Sequence, residues 1–131
     1  MTNEAVCIET PTKFARYTVM DSIAVPLNTI MKLSGANTAV ASTAADGEIF
    51  AGIAWEEKTA SDGMTEIVTA IDGVWDLVVD GSITNGGNLS LSGANTVKQS
   101  IEAETVTGAI LGKALETGVH GAASRVRLGA N

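Results

Sequence analysis

The sequence has very few of the side chains that build catalytic and metal centres. Its 131 residues include one cysteine, Cys7, and one histidine, His120. One chain with this content cannot form a disulfide framework or a zinc site of several cysteine and histidine ligands. We therefore predict that the protein is not an enzyme and that it carries no catalytic site, no metal site and no cofactor.

The two reactive side chains also stand in ordinary settings. His120 lies in Gly-Val-His-Gly, which is typical of a loop, and no Gly-x-Ser-x-Gly elbow precedes a helix. We interpret His120 as a solvated loop histidine and rank a small hydrolase using it as the last alternative. Cys7 has no partner base nearby in the sequence, so a plain free thiol is expected there.

Basic residues and long apolar runs are scarce as well. Eight Lys and Arg stand against fifteen Asp and Glu, for a formal charge of −7. This charge repels phosphate backbones and anionic lipid, and no apolar run approaches the ~18–20 residues of a bilayer span. We predict no nucleic-acid partner and no membrane partner. No export signal is visible at the first residues, so we expect the protein to stay in the compartment where it is made.

Proline and glycine are unevenly distributed. Both prolines, Pro11 and Pro26, precede Gly35, which is the first of fourteen glycines. Proline restricts φ and removes a backbone donor, so the early segment favours an extended path. We predict an extended N-terminal arm over residues 1–26 and a β-barrel or sandwich body over residues 27–131.

The body carries frequent signals for turns and strands. Asp-Gly and Asn-Gly pairs, which tolerate the positive φ of tight hairpin turns, divide it into short pieces in which apolar residues often alternate. The spacing over residues 64–78 fits a helix or strands, and its Thr, Val and Ile content favours strands. Residues 100–116 could hold a short helix. We predict an all-β fold, a small antiparallel β-barrel or sandwich, with at most a short helix.

An internal repeat runs through the body. The hexapeptide Leu-Ser-Gly-Ala-Asn-Thr occurs at residues 33–38 and again at residues 91–96, and Gly-Ile-Ala-Trp-Glu at 52–56 is matched by Gly-Lys-Ala-Leu-Glu at 112–116. The offsets are 58 and 60 residues. Two copies in the same order indicate a duplicated strand-turn-strand unit. We expect one barrel built from two related halves.

Only five aromatic side chains are present. Phe14 and Tyr17 lie in the arm beside Arg16, and aromatic and arginine side chains are enriched in binding hot spots. We predict that Phe14, Arg16 and Tyr17 form a docking element for a partner; the alternative is that the arm adds a first strand to its own barrel. Trp55 and Trp75 are interpreted as core residues, with a sugar-stacking platform as the alternative.

Acidic residues dominate the middle of the chain. Residues 41–80 contain nine acids and one base, Lys58, which gives an acidic flank suited to oriented docking. Asp72, Asp76 and Asp80 recur every four residues, but the Asp-x-Asp-x-Asp-Gly pattern of a calcium loop is missing. We interpret these three carboxylates as a solvated face.

The order of several segments resembles a known family. Residues 73–77 (Gly-Val-Trp-Asp-Leu), the turn-rich residues 80–87, the Gly-Lys-Ala-Leu-Glu strand at 112–116 and Ser-Arg-Val-Arg-Leu at 124–128 together resemble the capsid decoration, or cement, proteins of tailed bacteriophages. The resemblance covers most of residues 27–131 and leaves the arm outside it.

The resemblance implies a structural role. Members of that family are head-stabilising proteins with a β-barrel-like body, usually trimeric. They sit on the outer surface of an icosahedral head and bind across adjacent subunits of the major capsid protein. It implies that this chain is a virion protein, made in the bacterial host cytoplasm, whose partners are the major capsid protein and two further copies of itself. A carbohydrate-binding β-module using exposed aromatics is the alternative.

Overall fold

The computed structural model describes residues 4–43, 48–100 and 109–129. All the regular secondary structure in these ranges is β-strand, which confirms the all-β prediction. No helix in the same ranges has the length and hydropathy of a membrane span. The strands are β1 (Val6–Glu9), β2 (Phe14–Thr18), β3 (Ile30–Gly35), β4 (Thr38–Ala41), β5 (Phe50–Ala54), β6 (Glu66–Ala70), β7 (Val74–Val79), β8 (Asn88–Gly93), β9 (Thr96–Gln99), β10 (Ile110–Ala114) and β11 (Ala123–Leu128).

Strands β2 to β6 close into a first barrel in the order β2-β4-β3-β5-β6. Strand β2 pairs parallel with β4 and antiparallel with β6, and the other pairs are antiparallel. Strands β7 to β11 repeat this arrangement, because β7 pairs parallel with β9 and antiparallel with β11. Strand β1 adds to β7 and extends the second sheet.

The internal repeat therefore appears as two barrels, whereas the sequence predicted one barrel from two halves. Each half holds five strands, and its first strand pairs with its third and its fifth, so each half closes on itself. The repeat extends to single hydrogen bonds. A Glu56 carboxylate oxygen accepts the Val68 amide at 2.9 Å, and Glu116 accepts the Arg125 amide at the same distance.

The described part of the segment predicted as an arm, residues 4–26, contains β1, β2 and a turn at residues 21–23, and its two strands pair with both barrels. Strand β2 is a wall of the first barrel, with Phe14 opposite Ala70 and Thr18 opposite Glu66. Strand β1 lies on the second barrel with Cys7 opposite Trp75. The alternative, a strand added to the chain's own barrel, describes the position of β2.

Both ambiguous stretches contain strands where the structure describes them. Residues 64–78 form β6 and part of β7, with Gly73 between them at φ +97°. The end of residues 100–116 forms β10 rather than a helix. A Cβ at Gly112 would collide with the Arg127 carbonyl, so this glycine lets β10 lie close to β11. The rest of the possible helix, residues 101–108, lies outside the described residues.

One apolar cluster joins the two barrels. It contains Ile30 and Ile53 from the first barrel and Trp75 and Leu91 from the second, all fully buried. Two hydrogen bonds cross the same boundary. The Ile30 amide donates to Asn95 Oδ1 at 2.8 Å, and the Ser42 hydroxyl donates to the Gly93 carbonyl at 3.0 Å. Apolar burial and paired polar groups therefore fix the barrels together.

Candidate interaction surface

Strand β2 presents two of the three predicted docking residues to solvent. Its side chains alternate in exposure, as expected of a strand with one buried face. Phe14, 45 % exposed, and Arg16 share the outer face. Tyr17 lies on the other face and packs against the core of the first barrel, where burial raises the pKa of its phenol. The structure thus brings Phe14 and Arg16 together and separates them from Tyr17.

A row of aromatic rings connects this strand to the core. Phe14 lies 5.7 Å from Trp55 between ring centroids at 53°, and Trp55 lies 6.1 Å from Trp75 at 82°. Trp75 is fully buried, as the core interpretation predicted, and its Nε1 donates to the Asp72 carbonyl at 3.2 Å. Trp55 is 37 % exposed, so the core interpretation does not describe it. The buried ring supports the two exposed rings.

Two shallow depressions lie beside these rings. Phe14 and Arg16 line one of them together with Ala15 and the half-buried Val68. Trp55 lines the other. The residues completing that second depression are Cys7, Leu27 and Asn28. We call Phe14, Arg16, Leu27, Trp55 and Val68 the aromatic surface.

The aromatic surface has the chemistry of a protein-binding site. Exposed apolar side chains and one guanidinium group are suited to burial against a partner, and they offer no nucleophile or acid–base pair. A backbone hydrogen bond joins two residues of the surface, since the Trp55 amide donates to the Val68 carbonyl at 2.9 Å. Among the residues described, no cluster of three or more His, Cys, Asp or Glu side chains could hold a metal ion.

The two reactive side chains have local structural contacts. His120 Nδ1 accepts the Gly81 amide at 2.9 Å and lies 3.3 Å from an Asp80 carboxylate oxygen, on a loop of the second barrel. The Cys7 thiol donates to the Glu9 carbonyl at 3.5 Å, and burial raises its pKa. A thiol with a raised pKa is a poor nucleophile at neutral pH, because the thiolate is the reactive form.

The three regularly spaced carboxylates do not converge. Asp72 accepts the Lys13 and Thr12 amides and the Thr12 hydroxyl, and the Lys13 amide is the main cause of its lowered pKa. Asp76 lies 3.3 Å from the Arg125 guanidinium. Asp80 accepts the Ser92 hydroxyl. Each carboxylate thus stabilises a different contact between segments.

A buried lysine is the polar feature that sequence reasoning missed. The Lys58 side chain is fully buried, and its Nζ donates to the Asp21 and Thr59 carbonyls and to an Asp62 carboxylate oxygen at 3.0 Å. Asp21 also brings a carboxylate oxygen within 3.4 Å of the same Nζ. Lys58 therefore ties two loops of the first barrel together. Its position as the one base among nine acids was the available signal.

No family model matches this sequence, and no curated protein matches it either. The fold has a solved counterpart. The chain is similar to the crystal structure of the head fiber gp8.5 N base in bacteriophage phi29, with a TM-score of 0.56 and 17 % sequence identity.

The similarity extends over both barrels. It covers 89 % of this chain and 95 % of that chain, so the alignment includes residues of both barrels of this chain and nearly the whole of its neighbour. At this level of identity it establishes a shared fold. No family model matches the residues 27–131 that resemble decoration proteins.

Proposed function

We propose that the protein is a non-enzymatic structural component of a tailed-phage virion. It attaches as a homotrimer to the outer surface of the capsid, across adjacent subunits of the major capsid protein, and stabilises the shell. The observation that carries the proposal is the fold shared with a phage head-fibre base over 89 % of this chain. The sequence resemblance to capsid decoration proteins supports it independently.

The aromatic surface is the proposed contact with the capsid. Phe14 and Arg16 would touch the shell, and Tyr17 would hold β2 in place from the inner face. Aromatic side chains lose little conformational freedom for the area that they bury, and aromatic and arginine side chains are enriched among the residues that dominate binding energy at interfaces. The surface is supported from behind by Trp75, so binding needs little rearrangement.

A trimer would bind the capsid stably even if the contact made by each single copy is weak. Once one copy of a trimer is bound, the other two meet their sites at high effective concentration. If the site between capsid subunits exists only in the expanded shell, binding stabilises that state by the difference in affinity between the two states. The net charge of −7 would keep virions from adhering to each other or to DNA.

The test is binding of the purified protein to heads of the cognate phage. Phe14→Ser removes an exposed ring, and we expect it to weaken co-sedimentation with expanded heads by about tenfold or more. Val119→Ser is the matched control, because Val119 is 64 % exposed on a loop of the second barrel, and it should bind like the wild type. Equal binding by Phe14→Ser would remove the aromatic surface from the proposal. If the wild-type protein does not co-sediment with heads of the cognate phage, the proposed function is rejected.

A carbohydrate-binding module is the second candidate, because Trp55 is exposed beside Phe14. The rings are tilted by 53° and do not form a flat platform, which favours protein over sugar as the partner. Intrinsic tryptophan fluorescence across a panel of glycans tests this candidate. A saturable change that is lost in Trp55→Ala would support it, and an unchanged spectrum would reject it.

A further inference from the structure

The two copies of Leu-Ser-Gly-Ala-Asn-Thr have the same sequence but differ in burial. In the second barrel Leu91 is fully buried and Asn95 is 4 % exposed. In the first barrel the equivalent Leu33 is 38 % exposed, and Asn37 is also exposed. An exposed leucine is common on protein surfaces, so the evidence here is the difference in burial between two turns of identical sequence.

Both copies have the same backbone conformation. Asn37 and Asn95 have positive φ values of 52° and 59°. Each hairpin shifts register at the same place, before Gly35 in one and before Gly93 in the other. The exposed turn at residues 33–38 therefore already has the backbone conformation of its buried copy. Docking this turn against a partner would cost little conformational entropy.

The buried copy shows what such a turn binds. Asn95 Oδ1 accepts the Ile30 backbone amide at 2.8 Å. The backbone amide of Asn95 donates to the Ser42 hydroxyl at 3.3 Å. The Ser42 hydroxyl in turn donates to the Gly93 carbonyl at 3.0 Å. Ile30 and Ser42 thus form a receptor on the first barrel for the turn of the second.

The second barrel carries the counterpart of this receptor. The Ser42 amide donates to the Ile30 carbonyl at 2.9 Å, and the Ser100 amide donates to the Asn88 carbonyl at the same distance. Ile30 and Ser42 are buried, whereas Asn88 and Ser100 are only half-buried. One chain therefore presents an unused turn at the first barrel and an accessible receptor at the second.

We propose that the turn at residues 33–38 docks against Ser100 and Asn88 in the second barrel of another copy of this chain. The contact repeats between chains the one that joins the two barrels within a chain. The proposed function includes a homotrimer, and this contact would be its interface between chains. The inference rests on the proposed function only for the number of copies that assemble. A head-to-tail interface of this kind forms a ring when its rotation closes, and a closed ring of three alternates first and second barrels.

Asn88 makes the receptor of the second barrel different from that of the first. It stands where the first receptor has the fully buried Ile30, so the receptor is more polar in the second barrel. A polar group in this place lowers the apolar area gained on contact, and the interface between chains is then weaker than the one within a chain.

The test uses one variant on each side of the interface. Leu33→Arg alters the turn and Ser100→Arg alters the receptor. By sedimentation velocity at micromolar concentration, we expect the wild type to assemble and each variant to associate at least about tenfold more weakly. An equimolar mixture of the two variants should recover a dimer and nothing larger, because one intact turn and one intact receptor remain. Val119→Arg, on an exposed loop, should assemble like the wild type.

A crosslinking experiment covers the case in which a charged variant folds poorly. Gly35 and Ser100 correspond to Gly93 and Ser42, whose atoms are in contact within the chain. In a Cys7→Ser background, Gly35→Cys together with Ser100→Cys should give a disulfide between two chains. Gly35→Cys alone or Ser100→Cys alone should not give this product.

The interface would be overturned by a wild type that remains monomeric, by variants that assemble normally, or by a mixture that does not recover the dimer. No capsid is present in these experiments. Attachment to heads can therefore hold while this interface fails, and the interface can hold while attachment fails.

Discussion

Lys58 shows what one buried charge does for the first barrel. Its Nζ donates to the Asp21 and Thr59 carbonyls and to an Asp62 carboxylate oxygen, and the Lys58 side chain is fully buried. Lys58→Met keeps most of the unbranched side chain and removes these hydrogen bonds. We expect a loss of about 1–3 kcal/mol in the free energy of unfolding, since hydrogen bonds made by a charged group are removed. Urea denaturation measures the loss.

Lys13→Met is the matched control for this change, because Lys13 is exposed. Surface substitutions of this type usually change the free energy of unfolding by less than about 0.5 kcal/mol. Equal losses in both variants would show that Lys58 does not stabilise the loops through its hydrogen bonds.

Asp62 makes the stability of the same loops depend on pH. The Met64 amide, the Lys58 ammonium and the Thr59 amide lower its pKa from 3.8 to about 2. Because the pKa is lower in the folded state, the carboxylate stabilises the fold above pH 3.8 and this contribution is lost as the pH falls towards 2. Asp62→Asn should therefore be less stable than the wild type at neutral pH, and the difference should shrink over that acid range.

The measurement is the urea midpoint of both proteins between neutral pH and pH 2. Glu57→Gln provides the control, because it removes one exposed carboxylate next to Lys58. A constant difference between Asp62→Asn and the wild type at every pH would contradict the assigned hydrogen bonds.

Single residues were predictable from the sequence only where composition marked them. Lys58 stands out among nine acids, but its partners Asp21 and Asp62 are 37 and 4 residues away in the chain, and only the fold shows which of many carboxylates they are. Trp55 illustrates the same limit. Its apolar character predicted burial, whereas its position just after β5 leaves it at the surface.

At the scale of single strands, Gly112 tests why β10 and β11 can approach closely. A Cβ at this position would collide with the Arg127 carbonyl, and backbone cannot move aside cheaply. We expect Gly112→Ala to lower the free energy of unfolding by about 2–3 kcal/mol. Thermal and urea denaturation with far-ultraviolet circular dichroism measure the change.

Gly86→Ala separates this steric effect from backbone strain. Gly86 has φ +82° and open space around its Cα, so alanine there meets strain and no collision. A loss of about 1 kcal/mol is expected. A Gly112→Ala protein as stable as Gly86→Ala would show that close packing of β10 against β11 does not require glycine.

Strand type was predictable and strand partnership was not. Alternation and the Thr, Val and Ile content correctly indicated strands over residues 64–78. The strand-forming pattern of Phe14–Thr18 was visible too, but pairing with β6, about fifty residues away, depends on tertiary contacts that no local pattern encodes. The same holds for β10, where Gly112 weakens a helix and permits the close contact with Arg127.

At the scale of the whole molecule, the sequence showed the repeat but did not show that each half closes into a barrel of its own. Two copies spaced by 58 to 60 residues indicated duplication. Whether five or ten strands share one barrel depends on whether the first strand of each half reaches the last strand of the same half, and β2 and β7 both do. The role of the repeated turn also became visible only when the burial of Asn37 and Asn95 could be compared.

The final prediction concerns the boundary between the barrels. Asn95→Ala removes the acceptor of the Ile30 amide, and Asn37→Ala removes the equivalent side chain where it is exposed. Both positions have positive φ, so the backbone strain of alanine is nearly the same in each. At dilutions where the chain is monomeric, Asn95→Ala should be less stable by about 1–3 kcal/mol than Asn37→Ala, because a buried amide is left without an acceptor.

Urea unfolding followed by tryptophan fluorescence measures this difference, because Trp75 lies in the cluster that spans both barrels. Since that cluster is shared, we expect one cooperative transition in the wild type. A weakened boundary in Asn95→Ala should separate the unfolding of the two barrels or lower the steepness of the transition. If Asn37→Ala and Asn95→Ala unfold alike, the buried turn does not hold the barrels together, and the interface proposed for its exposed copy loses its physical basis.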